Sequence, residues 1–180
     1  MISNKKDLLD YLEQDKAALN IKGKYPSLFG HDVWKFQIAL RYYEYYFNTY
    51  KNHKRFRVYY KVLRKYWNLR WYRYSIRLGF DIPINVFGPG LNIHHYGCIV
   101  VNENASVGKN CNIQQHVTIG MNKSNKCAKI GDNVFIGTGA KIIGDIRIAN
   151  GCIIGANAVV VDDFLEENSV IGGVPAKKIR

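Results

Sequence analysis

Acidic residues are almost missing between Lys35 and Phe80, where Glu44 alone faces twelve lysines and arginines. The formal net charge of +12 is therefore concentrated in one segment. The four cysteines, Cys98, Cys111, Cys127 and Cys152, contain no CxxC pair. That spacing argues against a zinc site or a thioredoxin-like motif and for reduced thiols in a cytosolic protein. No run approaches the roughly 18 apolar residues of a membrane-spanning helix, and the opening MISNKKDLLDYLEQD lacks the apolar core of a signal peptide. A cytoplasmic protein is expected. With 180 residues, 47% hydrophobic and 22% charged, the composition excludes a disordered chain and leaves room for one domain with an appendage.

The chain obeys two periodicities in turn. Leu8, Tyr11 and Leu12 have helical spacing, as do Trp34, Ile38, Tyr42, Tyr45 and Tyr46. NTYKNHK reads as a break before a third helix from about Arg55 to Leu78, and Pro83 follows soon after. Residues 1–78 therefore form a helical, basic and aromatic-rich region, and residues 79–180 a second unit.

In that second unit Val101, Val107, Ile113 and Ile119 recur every six residues, and Ile130, Ile136, Ile142, Ile148, Ile154 and Val160 do so again. A small or compact apolar residue stands two before most of them, as at Ala105, Cys111, Ala128, Ala140 and Ala158, and glycine often follows. Neither a two-residue alternation nor a 3.6-residue helix gives this pattern. A parallel β-helix does: each coil has three short strands, the aliphatic residue points inward, and glycine tolerates the turn. Such coils bury their faces only against each other, so both ends need covers. The helices suit one end and DDFLEENSVIGGVPAKKIR the other.

His94 and His95 interrupt the phase. Extrapolating back from Val101 would bury His95, but Phe87, Ile93 and Ile99 form an earlier series that places both histidines on a turn just after an inward residue. Outward histidines there are either surface polarity or a general base for an alcohol, which is almost wholly protonated at neutral pH. Asp81 is the upstream carboxylate available to orient such a base.

The repeat, its interruption from Met121 to Lys129, and the motifs DI, IHHYG, VTIG, FIGTGAKIIG and GVPAKKI in this order resemble the left-handed β-helix hexapeptide-repeat acyltransferases, most nearly the serine acetyltransferase-like branch, over about residues 79–180. The resemblance implies a left-handed coil, acetyl-CoA as co-substrate, no metal, and homotrimers with sites between subunits, with a dimer of trimers as a further form. By position it makes His95 the catalytic base and Asp81 its partner. It places Gly120 near the thioester, where its amide would stabilise an oxyanion. Thr138 and Ala156 fall along the pantetheine arm, and Val161, Lys177 and Arg180 toward the nucleotide. Two positions depart from the family: His94 replaces an aspartate that contacts serine, and Lys126-Cys127-Ala128-Lys129 replaces an Arg-His-Pro-Lys string that holds the carboxylate. These departures lead to the expectation of a sugar hydroxyl as acceptor, in a capsular, exopolysaccharide or lipopolysaccharide glycan or its precursor, with His94 and His116 shaping the acceptor site. The alternatives are a serine O-acetyltransferase of cysteine biosynthesis, an amino-sugar N-acetyltransferase and a non-catalytic β-helix scaffold. His31 and His53 read as structural or exposed.

The basic helices interleave charge with three tryptophans and many tyrosines between residues 34 and 78. No nucleic-acid motif accompanies them. The two remaining readings are rings that pack the helices together, and peripheral contact with the inner face of a membrane.

Overall fold

The computed structural model describes residues 1–52, 56–123 and 125–180. Among the described residues, three helices precede five stacked coils. Helix α1 (Lys5–Ala18) starts at Asn4, whose side chain accepts from the Asp7 amide, while Ser3 donates back to the Asp7 carboxylate. Helix α2 (Asp32–Thr49) packs along α3 (Arg57–Leu78), with Tyr42 stacked on Trp67 at 4.3 Å between ring centroids. The expected start of α3 near Arg55, and His53, lie outside the described residues. Gly79 ends α3 in the left-handed conformation, φ +74°, and its carbonyl accepts from the Ile99 amide in the coil below.

The first coil contains β1 (Phe80–Asp81) and β2 (Asn92–Ile93). The second contains β3 (Ile99–Val101), β4 (Ser106–Val107) and β5 (Asn112–Ile113); the third, β6 (Thr118–Gly120), β7 (Lys129–Ile130) and β8 (Phe135–Ile136). The fourth has β9 (Lys141–Ile143), β10 (Arg147–Ile148) and β11 (Ile153–Ile154), the fifth β12 (Val159–Val160) and β13 (Val170–Gly173), and β14 (Ala176–Lys178) follows. Strands of successive coils pair in parallel to give three faces: β1-β3-β6-β9-β12, β4-β7-β10, and β2-β5-β8-β11-β13. Strand β14 turns back antiparallel on β13 and covers the far end. This is the parallel β-helix with an N-terminal helical region that the repeat predicts.

The registers put like on like. Val101, Ile119, Ile142 and Val160 stack along one interior edge, and Ile93, Ile113, Ile136, Ile154 and Ile171 along another. All ten residues of the sequence repeat are buried, as are the small residues between them. Each buried aliphatic side chain contributes about 1.5–3 kcal/mol of transfer free energy. The ladder exceeds the repeat at both ends, taking in Ile82, Phe87, Ile93 and Ile171.

The helices cover the open first coil. Phe36, Leu40 and Leu78 belong to the same apolar core as Phe80 and Ile82. A buried ion cluster fastens the junction. Arg41 donates to Asp15 at 2.8 Å, to Glu44 at 3.0 Å, and to the carbonyls of Phe87 and Gly88. The amides of Gly90 and Leu91 donate to Asp15 and that of Asn85 to Glu44. Only because every oxygen and guanidinium nitrogen finds a partner can three charges be buried here. Glu44, the lone acid of the basic segment, is therefore engaged with buried Arg41 and offsets none of that segment's surface cations.

Candidate active site

Eight residues, not six, separate the inward Ile93 and Val101, and the surplus forms the turn that holds the histidine pair. Gly97, at φ +142°, donates to the Leu78 carbonyl and passes so close to the second coil that a Cβ there would lie 3.1 Å from Gln115 Cβ. His94, His95 and Tyr96 are thereby turned outward and exposed, with the imidazole centroids 6.0 Å apart.

Two depressions meet at this turn. The first is a cleft of about 420 Å³ lined by His94, His95, Gln114, Phe135, Gly137, Thr138 and Ala156. It follows one edge of the prism, where each coil turns from its third face to the first face of the next coil. Its floor is shallow because its residues are small: a Cβ on Gly137 would lie 2.7 Å from the Ala156 amide nitrogen. The second depression is larger, about 930 Å³, and lies between the helical cover and the first coil. Lys22, His31, Asp32, Arg77, His94 and Tyr96 contribute to its wall. Asp32 is paired there with Arg77 at 3.1 Å and Lys35 at 3.5 Å. His94 belongs to both depressions.

The structure thus brings together His94, His95, Thr138 and Ala156. Lys177 pairs with Gly172 on the same face, one coil beyond Ala156, and Arg180 follows it, its carbonyl accepting from the Val170 amide. Gly120 and Val161 lie elsewhere, at the far ends of β6 and β12, where the coils turn toward the second face. His116 occupies an exposed corner of the second coil at φ +63°, its carbonyl accepting from Lys141 at 2.7 Å, outside both depressions. Asp81 points outward from β1 beside Val100, and no hydrogen bond joins it to His95 among the described residues. Catalytic hydrogen bonds in a ligand-free site often tighten only once substrate is bound. Among the described residues no group of three His, Cys, Asp or Glu side chains is placed to hold a metal ion.

Residues 127–162 match the family model for the bacterial transferase hexapeptide, six repeats. A serine acetyltransferase of Staphylococcus epidermidis is 33% identical over 175 residues, covering 92% of this chain and 73% of that protein. The structure of soybean serine acetyltransferase without ligand superimposes with a TM-score of 0.73 at 26% identity, over 97% of this chain and 70% of that one. The Brucella abortus serine acetyltransferase gives 0.72 at 27% identity, with the same coverage. The chain belongs to the serine acetyltransferase family of hexapeptide-repeat transferases. It is an acetyl-CoA-dependent acyltransferase.

Membership along nearly the whole chain overturns the expectation of a glycan acceptor and of a place in polysaccharide biosynthesis. That expectation weighed only two positions, His94 and the string before Ile130. In the structure Cys127 and Ala128 of that string are buried, and Lys126 is paired with Asp145 at 2.9 Å. Charged groups that the sequence could not assign to the site come to the cavity from the helical region instead: Lys22 from the α1–α2 connection, Asp32 from α2 and Arg77 from α3. Tyr96, Gln114 and Phe135 were also missed. Only the six-residue phase could have found the last two, since each follows or precedes an inward isoleucine on the same edge as Thr138.

Proposed function

We propose that the protein is a serine O-acetyltransferase. The observation that carries this reading is the meeting of the edge cleft and the cavity at His94, next to His95 in the cleft. The cleft suits the acyl donor: from the His95 coil to β14 it spans five inter-strand steps, roughly 24 Å, long enough for an extended amide-bearing arm that ends in phosphates. The small residues Gly137, Thr138 and Ala156 give the arm close approach to the backbone, and Lys177 and Arg180 supply cations for the phosphates. The cavity suits the acceptor, since Lys22 and Arg77 complement a carboxylate and Asp32 an ammonium group.

In this reading His95 removes the proton from the serine hydroxyl as its oxygen bonds to the acetyl carbon. The carbon–sulfur bond then breaks, and His95 returns the proton to the departing thiolate. Asp81 holds the imidazole in the productive orientation, and His94 shapes the boundary between donor and acceptor. Gly120 and Val161 cannot reach the cleft of their own chain, so we assign them to the cleft of an adjacent subunit in a homotrimer. Release of coenzyme A with serine, compared with free sugars, nucleotide sugars and amino sugars, tests the acceptor. Serine-dependent turnover supports the reading, and turnover only with another acceptor rejects it.

A further inference from the structure

Helix α3 keeps one face for its neighbours and leaves the other bare. Trp67 and Tyr60 pack against α2, and Trp71 donates to the Ile82 carbonyl. On the opposite side Val58, Val62, Leu69, Tyr72 and Ile76 are exposed, Val58 by 78% and Ile76 by 66%. At 100° per residue these five fall within an arc of about 80°, an apolar stripe along the helix broken once between Val62 and Leu69. Lys65 lies within that arc, and Lys61 and Arg73 border it. None of these three cations has an ion-pair partner among the described residues. The helix has seven basic residues and no acid, and its aromatic rings are thus divided between packing and exposure.

We propose that this outer face of α3 is a docking surface for an anionic lipid bilayer. The stripe would sink to the level of the acyl boundary while the cations reach outward to lipid phosphates, as in interfacial amphipathic helices. Charge selects this occupant over a second copy of the chain, because two such faces would bring Lys61, Lys65 and Arg73 against the same three cations. Among the described residues no helix is long and apolar enough to cross a membrane, so the contact is one of lying on the surface. The proposal is independent of which acceptor is acetylated.

The test is flotation of the full chain with vesicles of phosphatidylcholine containing phosphatidylglycerol, against vesicles of phosphatidylcholine alone. Two variants accompany it, Leu69→Glu with Ile76→Glu, and Lys61→Glu with Lys65→Glu and Arg73→Glu. Coenzyme A release, which none of these residues serves, reports that the variants are folded, and light scattering gives the assembly size. The protein is expected to float with the anionic vesicles, less so at high salt, and not with the neutral ones. At about 1 kcal/mol per cation, loss of three lowers the partition coefficient at least a hundredfold, and the apolar variant also fails to float. Absence of flotation by the unmodified chain, equal flotation with neutral vesicles, or variants that float like the parent each overturn the proposal. So does an assembly that Leu69→Glu with Ile76→Glu breaks apart while vesicles are ignored, which would make the face a chain-to-chain contact.

Discussion

Arg41 shows how much one side chain can hold. It is buried with two carboxylates, and the same guanidinium reaches the backbone of the first coil. Arg41→Met leaves Asp15 and Glu44 buried without a counter-charge and is expected to cost about 3–5 kcal/mol in thermal or denaturant unfolding. Burial already holds the Glu44 carboxyl above its ordinary value of 4.5, against the pull of Arg41. Without Arg41 that rise grows, so the variant's stability is fullest below the ordinary value and is lost as pH rises through the folded one. The melting-temperature gap from the parent should accordingly be smaller at pH 5 than at pH 8. Burial similarly pushes the Cys111 thiol up to about 12, and Cys127 and Cys152 are also buried and raised. A thiol reagent at pH 8 should therefore leave these three unlabelled in the folded protein, whereas all four cysteines react in denaturant. At this scale the outward turn of the histidines was legible, because a break in a six-residue phase is visible in the sequence. The ion cluster was not, since Asp15 and Arg41 lie on different helices and half their partners are backbone groups of residues 85–91.

At the scale of the element, the coils were legible because a single inward position repeats, and the stacking registers follow from it directly. Ile136 sits mid-ladder between Ile113 and Ile154, and Ile136→Ala is expected to destabilise by about 2–5 kcal/mol in chemical denaturation. Gly137 serves a different end, letting two coils approach where the cleft needs a flat floor. Gly137→Ala would drive a methyl group into the Ala156 backbone, and a melting temperature lowered by overpacking of about 1–3 kcal/mol is expected, together with a higher KM for acetyl-CoA. What the repeat could not convey was the extra strand pairing beyond its own phase: β1 before it, and Ile171 and β14 after it, depend on how the ends are covered. Nor could helical periodicity tell which aromatic rings of α3 face α2, because rings and cations alternate around the whole helix.

The whole molecule is a three-sided prism capped by helices, with its two depressions meeting at the histidine turn. In one chain the expected donor contacts are split, with Thr138, Ala156 and Lys177 on the histidine edge and Gly120 and Val161 on another. The proposed trimer would reunite them, and it predicts complementation: His95→Ala and Val161→Glu, each inactive alone, should regain coenzyme A release when co-expressed in one assembly, because mixed trimers contain one intact interface. Activity that never exceeds that of the separate variants would place both residues in one chain's site. The fold was readable from the repeat, but the acceptor was not, since its cavity joins charges from α2, α3 and the α1–α2 connection, three elements far apart in sequence, to the first coil. The measurement that bears most directly on His95 as the base acting on serine is the steady-state release of coenzyme A from acetyl-CoA and serine by the parent chain and by His95→Ala. That role predicts serine-dependent release by the parent and a kcat lowered about 10²–10⁴-fold in the variant with melting temperature unchanged. Equal turnover by the two proteins, or release indifferent to serine, would contradict it.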